Sequence, residues 1–219
     1  MPAKPPKAQS KERRRRKGRP GKTDVSVGKE AIIEATRILL RTLPPAKVTR
    51  TAVAQAAGID PGLVRYYFGD ITSLLTDVAE TVAATMRGKL EISAQSTELS
   101  PGEKLRQRVR ILLETFVENP HFHELFVELI LYRDRDNVKA LRRSITQRSH
   151  TELEKLLRDA GSKADSRFAY IALFGILEFF VTGRPVLEEL YPTHVVGSKR
   201  LQNDYADFVS DLLFRDLKS

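Results

Sequence analysis

Residues 49–68 read TRTAVAQAAGIDPGLVRYYF, and this stretch predicts two short helices joined by a tight turn. Thr49 is a good N-cap, because its hydroxyl can accept a hydrogen bond from a free N–H in the first helical turn. Gly58 ends that helix, since glycine enters the left-handed region without a Cβ clash. Asp60 and Pro61 suit the cap and first position of the second helix. The pattern is typical of a helix-turn-helix, whose second helix enters the DNA major groove.

The second of these helices carries Arg65, Tyr66 and Tyr67 in a row. Consecutive helical residues point in different directions, so at least one of the two aromatic rings must face outward. Half-buried core positions would explain both tyrosines, but both also suit phosphate contacts, and Arg65 suits a guanine edge. The stretch is therefore a candidate DNA reader, although any pair of helices joined by a glycine turn shows the same pattern of helix caps and helix ends.

The residues VAQAAGIDPGLVRYYF, followed by GDITSLL, resemble the DNA-binding signature of the tetracycline-repressor (TetR/AcrR) family of bacterial regulators. The likeness covers Ser26 to Leu75, with an Ala-Gly-Ile turn, a proline at the start of the recognition helix and an aromatic pair ending in Phe68. One position departs from the family pattern: Ile71 stands where a phosphate-binding lysine is usual. Ile71 is in register with an apolar helical face, which favours a core position for it.

The resemblance implies an all-α fold of about nine helices. A three-helix DNA-binding domain at residues 26–70 is expected to precede a helical effector-binding and dimerisation domain at residues 71–219. At the start of the first reader helix, the family pattern implies phosphate or base contacts from Thr49, Arg50 and Thr51. In the second reader helix, it implies base contacts from Pro61, Gly62, Leu63, Arg65 and Tyr66, and a phosphate contact from Tyr67.

The net charge of +9 sits entirely on an N-terminal arm. Residues 1–22 contain ten Lys and Arg but one acidic residue, which leaves 27 basic and 27 acidic residues elsewhere. Low apolar content predicts that residues 1–25 are disordered. The segment RKGRPGK at 16–22 is similar to an AT-hook, which would place Lys17 and Arg19 in a minor groove. A nonspecific polycation that adds salt-sensitive attraction to phosphates is an equally good interpretation.

Apolar residues recur at helical spacing along most of the remaining chain, with no strand-like alternation. The predicted helices outside the reader are 27–43 (capped by Ser26), 71–90, 101–119, 121–132, 136–160, 166–182 and 203–217. A polar loop is predicted at 91–100 and an irregular connection at 183–202. The helix from residue 71 starts beside the reader and ends in the second domain, so it is the expected mechanical link.

Two apolar helices near the C-terminus could pair with their copies in a second chain to form a four-helix interface. The resembled family dimerises in this region, although the same apolar stripes could simply close the core of one chain. The predicted dimer-interface residues are Ala172, Gly175, Ile176, Phe179, Phe208 and Leu212.

The resembled family also binds a small effector among the helices of the second domain. The aromatic residues expected to face that space are Phe116, Phe122, Phe126, Tyr170, Phe174 and Phe180. Ordinary core packing is the alternative for each of them. Glu128, Glu178 and Arg184 stand among apolar neighbours and are candidates for a polar group of the ligand, or else are solvated. The apolar lining favours a hydrophobic or aromatic effector.

The motifs give no support for an enzyme, a metal site or a cofactor site. The chain lacks a glycine-rich phosphate loop, a G-x-S-x-G elbow and an H-E-x-x-H pair, and it contains no Cys. His121 and His123 are two positions apart on a predicted helix, so they face different sides. No apolar run approaches the ~20 residues that span a bilayer. We therefore expect no catalysis, no cofactor and no membrane partner, and a bacterial cytoplasmic location that includes the nucleoid.

The sequence as a whole predicts a homodimeric regulator that binds a palindromic double-stranded DNA operator and is released by a small-molecule effector. Repression is the simplest mode of action for such a protein. A ligand-independent or activating regulator remains an alternative, as does a nonspecific DNA-organising protein that uses only the basic arm. The last of these would need no well-capped reader helix and would show little sequence preference.

Overall fold

The computed structural model describes residues 22–127 and 136–214, and every regular element in this part is helical. The α-helices are α1 (Lys22–Leu39), α2 (Arg50–Ala57), α3 (Pro61–Phe68), α4 (Ile71–Gln95), α5 (Pro101–Glu118), α6 (Phe122–Leu125), α7 (Asp136–Asp159), α8 (Ser166–Thr182), α9 (Arg184–Leu190) and α10 (Lys199–Phe214). The predicted all-α fold is confirmed. Lys17, Arg19, Glu128, most of the basic arm and the end of the helix predicted at 121–132 lie outside the described residues.

The helix-turn-helix forms where predicted because the residues that start and end its helices make contacts within one helical turn. The Thr49 hydroxyl accepts a hydrogen bond from the backbone N–H of Ala52 at 3.2 Å, and Gly58 ends α2 at φ 66°. The Asp60 carboxylate accepts from the N–H of Gly62 at 2.7 Å, which starts α3. Helices of eight residues are unstable alone, so α2 and α3 depend on these caps, on packing against each other, and on packing of α2 against α1 and of α3 against α4.

The side chain of Lys29 joins three helices of this region. Its Nζ atom lies 2.8 Å from Oδ2 of Asp77 on α4 and 5.4 Å from the ring centroid of Phe68 at the end of α3. The ammonium group therefore makes an ion pair and a cation–π contact at once. Through Lys29, α1 is fixed to both the recognition helix and the helix that leaves it.

The long helix α4 begins directly after the recognition helix. Its cap is Asp70, whose carboxylate accepts a hydrogen bond from the N–H of Ser73 at 2.7 Å. Its 25 residues correspond to about 37 Å at 1.5 Å per residue. One face is buried continuously from Leu74 to Leu90, and Ile71 is half-buried against the same core, as its register predicted. The expected link between the two regions is thus a single uninterrupted helix.

Helix α5 is the centre of the second region. Ser100 and Glu103 form a capping box at its start, with side-chain to backbone hydrogen bonds of 3.3 and 2.7 Å. The residues predicted to face inward are all buried: Leu105, Val109, Leu112, Leu113 and Phe116. Helices α4, α7, α8 and α10 pack around this helix, so most of the circumference of α5 is buried.

Several helix boundaries differ from the prediction. Helix α1 starts at Lys22, so residues 22–25 are helical where disorder was predicted and Ser26 lies inside the helix, because no proline or glycine separates Lys22 from Ser26. Helix α4 runs through 91–95, where a polar loop was predicted, because that segment also lacks a helix breaker. The predicted irregular connection at 183–202 contains α9, whose Pro185 occupies a first-turn position that tolerates proline.

Helix α10 also starts earlier than predicted. The Ser198 hydroxyl accepts from the N–H of Leu201 at 3.2 Å, so α10 begins at Lys199 rather than at residue 203. No single helix in the described ranges is long and apolar enough to cross a membrane. Helices α8 and α9 reach the required length and hydropathy only when taken together, and a bend of 71° separates them.

The contact between Gly28 and Tyr67 gives a stability prediction. A Cβ atom added at Gly28 would lie 2.9 Å from the Tyr67 hydroxyl, whereas one added at Gly88 in α4 would meet nothing within 4 Å. Either glycine-to-alanine change removes the same helix-propensity penalty of about 1 kcal/mol. We expect Gly28→Ala to be less favourable than Gly88→Ala by about 1–3 kcal/mol in urea unfolding, because only the former overpacks the core.

The control for this comparison is the Tyr67→Phe background, which removes the hydroxyl. There the difference between the two alanine variants should shrink. An equal difference in both backgrounds would show that the Tyr67 hydroxyl is not the source of the strain.

Candidate functional site

Most of the residues predicted to contact DNA are exposed in α2, in α3 and at their starts. They are Thr49, Arg50, Thr51, Pro61, Gly62, Arg65 and Tyr66, with Leu63 half-buried. The Tyr66 side chain is 66% exposed, as the prediction of one outward tyrosine requires. Neither Arg50 nor Arg65 has an ion pair within the described part of the chain, so both guanidinium groups are available to phosphates or base edges.

Tyr67 has a packing role beside the phosphate contact predicted for it. Its ring is half-buried against the core and lies edge-on to Tyr66 at a centroid distance of 5.3 Å. The hydroxyl end rests against Gly28 of α1. The phosphate contact stays a prediction, and the ring itself fixes α3 against α1.

A second candidate site is a cavity of about 370 Å³ among α4, α5, α6, α7 and α8. Five of the six aromatics expected to face such a space line it: Phe116, Phe122, Phe126, Tyr170 and Phe174. Their rings form a chain, with neighbouring centroids 4.8–6.4 Å apart. This volume and apolar character are typical of small-molecule sites.

Phe180 does not line this cavity. Its ring stacks on Tyr205 of α10 at a centroid distance of 4.4 Å. Positions 170, 174 and 178 recur every four residues on the cavity side of α8, and position 180 falls on another side. Arg184 lies outside the cavity as well, in an ion pair with Glu188, whereas Glu178 lines it.

Arg108 is a buried polar residue that the sequence reasoning missed. Its side chain is 3% exposed and donates hydrogen bonds of 3.1 Å to the carbonyl and hydroxyl oxygens of Ser149. Burial lowers the pKa of Arg108, and the nearby Glu152 carboxylate, 3.6 Å away, partly restores it. Position 108 is three residues after Leu105 and four before Leu112, so helical spacing could have placed it on the apolar face.

Glu178 and His123 form the polar end of the cavity beside α6. His123 Nδ1 lies 3.2 Å from Glu178 Oε2, and Glu178 Oε1 is buried without a hydrogen-bond partner in the described structure. Burial, together with the Glu124 charge, raises the pKa of Glu178 to about 7. Burial lowers the pKa of His123. Near neutral pH the Glu178 carboxyl is therefore about half ionised and faces a His123 imidazole whose lowered pKa keeps it mostly neutral, so the contact is not a full ion pair.

The basic residues of the lining belong to α4 and α7. The Arg148 side chain pairs with Glu91 and with Glu152, the latter at 3.5 Å. Arg87 borders both the cavity and an outer groove that also contains Asp77 and Glu80. Within the residues described, no group of three or more His, Asp or Glu side chains could hold a metal ion.

A third feature is an exposed apolar surface on α8 and α10. Of the predicted dimer-interface residues, Phe179, Phe208 and Leu212 are 62, 59 and 52% exposed. Gly175 is exposed as well, while Ala172 and Ile176 are half-buried. Phe168 and Ile171, at 73 and 68%, are more exposed than Phe179, Phe208 and Leu212 and were missed. Their spacing to positions 175 and 179 follows the i, i+3, i+7 and i+11 pattern of one helical side.

Comparisons with known proteins agree with this architecture. A family model described as the C-terminal domain of tetracyclin repressor-like proteins matches residues 98–219. A search among curated protein sequences finds no match.

Three solved structures are similar in fold. The TetR-family regulator PfmR from Thermus thermophilus is 17% identical, with a TM-score of 0.65 over 86% of this chain and 99% of that one. AibR, solved with isovaleryl coenzyme A and operator DNA, is 12% identical, with a TM-score of 0.65 over 85% and 98%. FadR from Bacillus subtilis, solved with stearoyl-CoA, is 17% identical, with a TM-score of 0.61 over 86% and 99%.

The raised pKa of Glu178 predicts a pH-dependent stability difference. Because the carboxyl ionises near pH 4.5 in the unfolded chain but near 7 in the folded chain, rising pH favours unfolding across this interval and the loss is complete above it. Glu178→Gln does not ionise, so we expect it to be about 1–3 kcal/mol more stable than the wild type at pH 8. The difference should be much smaller at pH 5.

Urea unfolding at the two pH values measures this effect. Glu189→Gln, which changes an exposed carboxyl on α9, serves as the control and should show little difference at either pH. A stability gain of Glu178→Gln that is equal at pH 5 and pH 8 would contradict the assigned burial effect.

Proposed function

This chain belongs to the tetracycline-repressor-like family of transcriptional regulators, and on that premise we propose that it is a homodimeric repressor. It would bind a palindromic operator and leave it when a small hydrophobic effector binds. Such a protein acts by binding rather than by catalysis, and it would do so at the nucleoid in the bacterial cytoplasm. The proposed parts are a basic arm at 1–25, a DNA-binding domain at 26–70 and an effector and dimerisation domain at 71–219.

The observation that carries this proposal is the continuity of α4. The helix starts at Ile71, directly after the recognition helix, and its later residues Ala83, Met86, Arg87 and Leu90 line the aromatic cavity. A ligand that shifts these later residues would also shift the start of the helix, since an α-helix transmits displacement along its axis. A regulator requires such a connection between an effector site and a DNA reader.

The capped helix-turn-helix supports sequence-specific DNA binding. Arg65 and Tyr66 are exposed on α3, the helix that would enter the major groove. The folded residues carry no excess of positive charge, so we infer that long-range attraction to phosphates comes from the arm that contains Lys17 and Arg19.

The exposed apolar surface of α8 and α10 supports a homodimer. Contiguous apolar side chains at this exposure mark an interaction surface, and a second copy would bury Phe168, Phe179 and Phe208 against their counterparts. To enter successive major grooves in the simplest two-fold case, the two recognition helices of the dimer would have to lie about 34–36 Å apart.

The aromatic cavity supports a small effector. Two proteins of similar fold were solved with acyl coenzyme A ligands, one of them together with operator DNA. For a full switch, the effector of this chain would have to favour the DNA-free state by about 5.5 kcal/mol.

Arg65→Ala tests the DNA-reading role. We expect a loss of about 1–3 kcal/mol in operator binding and a relaxed preference at one base position, because Arg65 would contact a base edge. The operator is first selected from random DNA, and the variant is then measured on the selected site and on its single-base variants. Arg200→Ala removes the same charge from an exposed position on α10 and should leave the base preference unchanged.

An unchanged base preference in Arg65→Ala would remove this residue from the proposed reader. The broader proposal of sequence-specific regulation fails if selection yields no site preferred by at least ~10³ over bulk DNA.

Phe179→Glu tests the proposed dimer. A charge buried at the centre of an apolar interface should dissociate the pair, so we expect sedimentation to change from dimer to monomer at micromolar concentration. Ile38→Glu, at a position 53% exposed on α1, introduces the same charge elsewhere and should leave the dimer intact. If the Phe179→Glu variant still sediments as a dimer, the interface lies on another surface.

A further inference from the structure

We propose that the cavity selects a lipophilic cation: an aromatic or apolar body that carries a protonated amine, with the amine paired to Glu178. The inference rests on the proposed function in one respect, that the cavity is the effector site. It adds the chemical class of the effector, and it follows from the side chains at the α6 end of the cavity.

The first step is the unmet hydrogen-bonding capacity of Glu178. One carboxyl oxygen, Oε2, contacts His123 Nδ1 at 3.2 Å. The other, Oε1, is buried and accepts no hydrogen bond from any described residue. A buried acceptor without a donor is costly, so a ligand N–H group placed against Oε1 would relieve that cost on binding.

The second step is the aromatic surface around this carboxyl. Phe122 and Phe126 of α6 and Phe174 of α8 line the same cavity as Glu178, and Phe174 lies one helical turn before Glu178. Aromatic faces attract cations through their quadrupoles. A carboxylate among aromatic rings therefore offers an amine both a charge-assisted hydrogen bond and favourable ring contacts.

The third step is the distribution of charge. On α6, the groups beside Glu178 are His123 and the acidic Glu124; on α8, Glu178 is the charged residue of the lining. The Glu124 charge opposes ionisation of Glu178, and a ligand cation would offset it. A ligand carboxylate at this end would instead meet acidic neighbours.

In the described structure, the arginine side chains of α4, α5 and α7 at or beside the cavity make no ion pair with Glu178. Arg148 is already paired with Glu91 and Glu152, and its neighbour Ser149 contacts Tyr170, two turns of α8 from Glu178. Arg108 of α5 is paired with Glu152. Arg87 of α4 also borders the outer groove that contains two carboxylates. Glu178 is thus the acid of the lining that has no Lys or Arg partner in the described structure.

The test compares three probes that share one aromatic tail and differ in the head group: 4-phenylbutylamine, 4-phenylbutanol and 4-phenylbutyrate. Titration calorimetry on the full-length protein at pH 8 should give the order amine, alcohol, carboxylate, with the amine at least tenfold tighter than the carboxylate. Amine affinity should also fall about tenfold from pH 8 to pH 6, as Glu178, whose pKa is about 7, gains a proton. Protonation of His123 acts in the same direction.

Two variants locate the effect. Glu178→Gln keeps the shape of the side chain and removes its charge, so it should weaken the amine at least tenfold and change the alcohol by less than threefold. Glu189→Gln removes an exposed carboxyl on α9, outside the cavity lining, and should leave the affinities of all three probes unchanged. An equal loss of all three probes in Glu178→Gln would indicate a merely structural role and overturn the proposal.

Tightest binding of the carboxylate, or binding of none of the probes, would likewise overturn the proposal. Operator binding without any probe is measured on the same samples. If sequence-specific DNA binding is present while the amine is not preferred, the cation inference fails and the proposed function stands. If no DNA sequence is preferred, the proposed function fails whatever the probes do.

Discussion

The rest of the structure depends on the continuous burial of one face of α4. From Leu74 to Leu90 this face supplies core residues first to the three-helix reader and then to the packing around α5. The two regions therefore share one apolar core instead of meeting at a polar linker. A packed core resists partial displacement, and the Lys29 contacts join the first turns of α4 to α1 and α3.

Charge is organised differently in the reader and in the second region. Among the residues that the structure describes, Arg50 and Arg65 of the reader have no ion-pair partner, which keeps them available for an anionic partner. In the second region exposed pairs such as Arg106 with Asp211 and Arg110 with Asp207 join α5 to α10. Exposed pairs contribute little stability, so these contacts serve mainly to fix the register of helices that apolar burial already holds together.

The sequence predicted those elements whose signals are local. Thr49, Gly58 and Asp60 act within one turn of their own positions, and the reader formed where they indicated. The α9 helix was missed because Pro185 suits a helix start as well as a break. Arg108 was missed because its partners, Ser149 and Glu152, are about forty residues away, and only tertiary packing brings them together. Phe180 was wrongly assigned to the cavity for a similar reason. The sequence identifies an aromatic residue, but the packing of α8 decides that its ring contacts Tyr205 of α10.

Gly175 lies on the wall of the aromatic cavity and on the exposed side of α8. A Cβ atom added there would meet nothing within 4 Å, so a side chain at this position would extend into open space. A larger residue at position 175 would add bulk at a point that belongs both to the cavity lining and to the exposed side of α8. If the exposed side of α8 is the self-association surface, a substitution at position 175 bears on both ligand preference and dimer assembly. Diversification of effector choice within this scaffold would then have to proceed through other lining positions, such as those of α6.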